Sequence, residues 1–165
     1  MRTLLTTLTA GLLGISAIAA AADQQSAATK AAYAEMRQMF GTVPSFLNAF
    51  PERGIVGAWE ELKSVQLAPD TAIPPKYKEL IGLAVASQIP CQYCVYFHVA
   101  GARADGATDE EIREAIAMSA LTRHWSTVLN GSQIDFDAFR AEADAMMKYA
   151  QEHAEKAPPK GANKK

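Results

Sequence analysis

Along most of the chain, apolar positions recur at intervals of three and four, and nowhere do they alternate long enough for a strand. The pattern predicts a helix over 29–40, rich in Ala, Met and Glu and stopped by Gly41. A short helical turn over 44–50 follows between prolines. Pro51, at the position a helix start favours, opens a helix to about Leu67. Pro69 and the Pro74-Pro75 pair bracket a loop. The next helix runs over 75–88, with Leu80, Leu83 and Ala84 on one stripe, and the Ile89-Pro90 step breaks it because a residue before proline avoids the helical region. A further helix starts at Pro90 or Cys91 and ends at Asp105-Gly106. Thr108 and Glu111 have the spacing of a capping box, with Asp109 and Glu110 suited to a helix N-terminus, and that helix runs to Leu129. The last spans 134–155, with Phe136, Phe139, Ala143, Met146 and Met147 as its apolar side. The expected fold class is therefore all-α, about six helices around one core, with Trp59, Phe46 and Phe50 among the core residues.

Both ends depart from this pattern. Arg2, an uncharged apolar run over 4–18 and four alanines over 19–22 have the order of a cleavable secretory signal peptide, and the run is short for a membrane span. The expected organisation is a signal peptide over 1–22, a helical domain over 23–155 and a disordered lysine-rich tail over 156–165. The expected location is the periplasm, with no membrane attachment after cleavage. Composition then narrows the function classes. The chain has 165 residues, 49% apolar and 21% charged, which suits one globular domain and excludes a disordered chain or a disulfide-stapled miniprotein. A net charge of −2 gives no basic face for a nucleic-acid partner.

Only two cysteines occur, and they stand three residues apart as Cys91-Gln92-Tyr93-Cys94, with His98 four residues further on. At about 100° per residue, Cys94 falls about −60° and His98 about −20° from Cys91, so all three share one helical face. The i,i+3 spacing brings two sulfurs within reach of a disulfide. At a helix start, unpaired backbone N–H groups and the helix dipole stabilise a thiolate, which is the nucleophilic form. On that argument alone Cys91, nearer the start, is the favoured nucleophile. His98 can take or relay a proton from Cys94. Glu79, on the preceding helix, can orient the imidazole if the two helices pack antiparallel. An inert local disulfide is the plain alternative. A zinc site is disfavoured because three ligands within two turns of one helix suit a tetrahedron poorly, and neither a metal nor a cofactor is expected. His124, beside Trp125, either lines a pocket or subunit interface or is a structural histidine.

The arrangement of Glu79, eleven residues, Cys91-x-x-Cys94, three residues and His98 resembles the AhpD-like group of the carboxymuconolactone decarboxylase superfamily. The segment Gly41-Thr42-Val43-Pro44-Ser45-Phe46, the helix around Trp59 and the helix start at Gly106-Ala107-Thr108-Asp109-Glu110-Glu111-Ile112 extend the resemblance over most of 31–150. It implies a helical fold assembling as a homotrimer or homohexamer, and thiol-dependent peroxidase or disulfide-reductase chemistry on a hydroperoxide substrate with a thiol reductant as partner. It also implies that Cys94 attacks, Cys91 closes the disulfide, and Glu79 and His98 relay protons with water. In the best-studied pattern a histidine precedes the second cysteine, where this chain has Tyr93, a weaker base and a hydrogen-bond donor. The other readings are a disulfide exchange partner, an enzyme of the decarboxylase branch, and a non-catalytic helical assembly with a structural disulfide.

Overall fold

The computed structural model describes residues 23–25 and 27–154, which excludes the 1–22 segment and the tail beyond 155. Among these residues all regular structure is helical, and six α-helices follow in chain order. They are α1 (27–40), α2 (Ile55–Glu61), α3 (Pro75–Gln88), α4 (Gln92–Ala104), α5 (Asp109–Gly131) and α6 (Phe136–Glu152). The chain divides into two compact units, the first ending at Glu79 and the second beginning at Leu80.

The first unit is built around large side chains. Ala32 and Met36 of α1 meet Ile55 and Trp59 of α2, with Tyr33, Val43, Leu47, Leu62 and Leu67 packed around them. Trp59 is only 2% exposed, and its one polar atom is answered: the indole N–H donates to Glu35 Oε2 at 2.8 Å. Lys63 reaches the same carboxylate oxygen at 2.6 Å and lies over the Trp59 ring, 5.5 Å from its centroid. The hydrogen bond from Lys63, then that from Trp59, holds the Glu35 carboxyl below its ordinary range, and Glu35 in turn raises Lys63.

The expected single helix from Pro51 to Leu67 is three conformations in succession. A 3₁₀ turn over Glu52–Gly54 leads into α2, and a π-helical stretch over Leu62–Leu67 follows it. Periodicity cannot separate these forms, because all three keep apolar residues at spacings of three to five. Phe46 and Phe50 correct the expected core: they are 73% and 49% exposed, on the short turn Ser45–Ala49 and just after it.

The second unit has a buried cluster drawn from three helices. Leu83 of α3, Ala102 of α4 and Ile112 of α5 form its buried cluster, with Leu80, Val95, Val99 and Ala107 against it. Leu83 and Ala102 have no exposed surface, and Ala86 is buried beside them in sequence. The α5 start is the capping box the sequence spells: Thr108 accepts from the Glu111 amide at 3.1 Å, and the Glu111 carboxylate accepts from the Thr108 amide at 2.8 Å. Helix α6 starts two residues later than expected because Asp135 caps it, accepting from the Ala138 amide at 2.8 Å. Its apolar residues Phe136, Phe139, Met146 and Met147 are exposed. No described helix is long and apolar enough to cross a membrane.

Candidate functional site

The turn between α3 and α4 is short, and the Cys91 amide donates back to the Ala86 carbonyl at 3.1 Å. Pro90 stands two residues before the first residue of α4, so Cys91 is the N-cap rather than a member of the first turn. Cys91 has the extended backbone of a cap (φ −93°, ψ 97°), and its Sγ accepts from the Cys94 amide at 3.2 Å. A sulfur therefore does here what a serine or aspartate oxygen usually does at a helix start. Cys94 follows at the third helical position. The two cysteines form a disulfide, with their Cα atoms 5.3 Å apart. Both are half-buried, so the bond is open to a small molecule or to another thiol.

His98 lies one turn beyond Cys94 on α4 and is half-buried. Its ring is packed against the α3 backbone at Gly82, in a gap that any side chain there would fill. Phe97 stands edge-on to it at 5.7 Å between centroids. Tyr93 stands about 100° round α4 from Cys94 and is 78% exposed. His124 is exposed on α5, edge-on to Trp125 at 5.4 Å.

Glu79 is on α3, three residues before Gly82, and is only 5% exposed. A carboxylate that deep needs hydrogen-bond donors, and Gln66 supplies one from the π-helical stretch, Nε2 to Oε1 at 2.9 Å. Lys78, the neighbour of Glu79, is tied to the Ala68 carbonyl at 2.8 Å and so fixes the loop between Gln66 and α3. Two neighbours of the expected residues, Gln66 at Glu79 and Gly82 at His98, lie outside the motif. Gln66 has no sequence signal, since a glutamine at the end of a helix is commonplace. Gly82 has one that does not discriminate: a glycine inside a helical pattern costs stability relative to alanine, but Gly57 does the same with nothing near it.

The half-buried cysteine pair at a helix N-terminus and the imidazole one turn along define a helical domain with a disulfide at its candidate site. The carboxymuconolactone decarboxylase family profile matches residues 54–134, which run from α2 through α5. An uncharacterized protein of Cupriavidus necator is 32% identical over 89 residues, covering 52% of this chain and 70% of that protein. Uncharacterized protein 4 in the cox locus of Paracoccus denitrificans is 46% identical over 54 residues, covering 33% of this chain. The chain spans about half that relative's length (49%). Among solved structures, the core of the alkylhydroperoxidase AhpD from Rhodospirillum rubrum superposes with a TM-score of 0.59 at 28% identity, covering 72% of this chain and 90% of that one. The chain belongs to the carboxymuconolactone decarboxylase family, and its fold is that of the AhpD core.

Proposed function

We propose that the protein is an exported thiol-dependent peroxidase that reduces hydroperoxides through Cys94 and Cys91. The observation that carries this reading is the half-buried Cys91–Cys94 disulfide at the start of α4, in the fold of an alkylhydroperoxidase core. The cycle starts from the reduced pair. The Cys94 thiolate attacks the terminal peroxide oxygen, the O–O bond breaks, and the alkoxide leaves as an alcohol with a proton delivered through His98. Cys94 is then a sulfenic acid. Cys91 attacks its sulfur, the disulfide forms and water leaves with the hydroxyl. The two electrons come from the cysteine pair, and a thiol reductant restores it. Glu79 joins His98 in this relay on the sequence pattern, and its burial suits a group that orients rather than attacks. Assembly into a trimer or hexamer belongs to the same proposal and is supported by the exposed apolar faces of α5 and α6.

A disulfide exchange partner is the second reading. Tyr93 and Tyr96 are exposed on faces of α4 turned away from Cys94, so this reading is supported by the half-buried disulfide itself. The decarboxylase branch does not rely on a cysteine pair, and the intact pair here argues against it.

The deciding experiment is peroxide consumption by the reduced protein, with dimedone trapping and peptide mass spectrometry on each cysteine variant. Cys94→Ser is expected to abolish turnover. Cys91→Ser is expected to accumulate a trapped sulfenic acid on Cys94. Label on Cys91 in Cys94→Ser, as readily as the reverse, would overturn the assignment; no label in either variant would favour disulfide exchange. Export rests on the 1–22 pattern. Protein from its native host is expected to begin near Ala22 or Asp23 by mass spectrometry, and an intact Met1 would refute it.

A further inference from the structure

Gly82 lies in the middle of α3 with an ordinary helical backbone, since the positive-φ glycines among the described residues are Gly41 and Gly106. Glycine is the poorest helix former after proline, so its presence there calls for another cause. A Cβ built on Gly82 would fall 2.6 Å from both ring nitrogens of His98 and closer still to Cε1. Cε1 and the two nitrogens of the imidazole therefore occupy the place of the missing side chain. Gly57, inside α2, is the contrast: a Cβ there meets nothing within 4 Å. The obstruction at Gly82 is a ring on two rotatable bonds rather than a backbone atom, so the ring yields before the helix does.

We propose that Gly82 is a positioning residue for His98: the bare stretch of α3 is the seat of the imidazole, and a side chain there turns the ring away from the face it shares with Cys94. This rests on the reading of His98 as the group that exchanges a proton with Cys94. It makes the chain weaker at a helix position where alanine would be stronger, in return for a fixed ring.

The test is Gly82→Ala in the full reduced chain, with Gly57→Ala as the reference for removing a helix-interior glycine. Three readouts are followed: melting temperature, the His98 ring Cε1–H resonance, and the pH profile of Cys94 alkylation by iodoacetamide. With three histidines in the chain, the His98 resonance is identified by its loss in His98→Gln. Gly82→Ala is expected to shift that resonance and to slow Cys94 alkylation at neutral pH by about 10²-fold, the lower end of general acid–base help, with the melting temperature held or raised. Gly57→Ala is expected to change the melting temperature alone. Adding Gly82→Ala to His98→Gln is expected to bring no further loss, because the glycine acts through the ring. An unmoved resonance, or a loss that persists in the His98→Gln background, overturns the proposal. Should Gly82→Ala not fold, His98→Ala in the same chain must restore folding; failure to do so also overturns it. If wild type and His98→Gln alkylate alike and consume no peroxide, the peroxidase reading falls, while the resonance still decides whether Gly82 seats the ring.

Discussion

The cluster around Trp59 and the cluster around Leu83 bury few residues each, but by opposite means. The first fills its space with an indole, a methionine and an isoleucine, and closes its polar edge with Glu35 and Lys63. The second sets Leu83 and Ile112 against a fully buried Ala102, and leaves at Gly82 a gap the size of a side chain for an imidazole to enter. A large-residue core resists loss of volume, and a small-residue core resists gain of it. The cysteine pair sits in the second unit, where Gly82 sets a position by what is absent.

The contrast fails most visibly if truncation and enlargement act alike in the two regions. Trp59→Ala is expected to cost ~3–5 kcal/mol, the range for losing a buried aromatic, and to free Glu35 from its indole partner. Ala102→Leu is expected to cost ~1–3 kcal/mol through overpacking between α4 and its neighbours. Chemical denaturation of each variant measures both, and a neutral Ala102→Leu would mean the second unit has slack. A smaller effect sharpens the picture of the polar edge. Glu35 has a lowered carboxyl pKa, so its contribution to stability is present at neutral pH and is lost as pH falls through that lowered value. Lys63 is raised, so its contribution is present below the ordinary lysine range and is lost only in strong alkali. Glu35→Gln keeps an acceptor for the indole and removes the charge. The difference in melting temperature between it and the wild type is expected to close as the solution is acidified below the carboxylate range. A difference that persists there would assign the effect to shape rather than charge.

Helix boundaries governed by local chemistry were legible in the sequence. The 75–88 helix stands as expected, bounded by prolines, and the Thr108–Glu111 box caps α5 as its spacing requires. The shared face of Cys91, Cys94 and His98 follows from helical geometry once α4 exists. What was not legible depends on partners distant in sequence. Phe46 and Phe50 carry the composition of core residues, yet the short turn around them leaves them largely in solvent. A glutamate such as Glu79 is ordinarily solvated, and its burial is made tolerable by Gln66, thirteen residues away on a stretch whose π-helical form no periodicity reveals. The gap at Gly82 becomes meaningful only when the ring that fills it is known.

The N-cap role of Cys91 has a genetic consequence. Serine is among the best N-cap residues, and a single base change converts a cysteine codon to a serine codon. A lineage taking that step at Cys91 would keep the start of α4 while losing the disulfide. The disulfide can therefore disappear with little trace in the fold, so a relative's helical architecture alone says nothing of whether it still has one. The base at the first cysteine codon does.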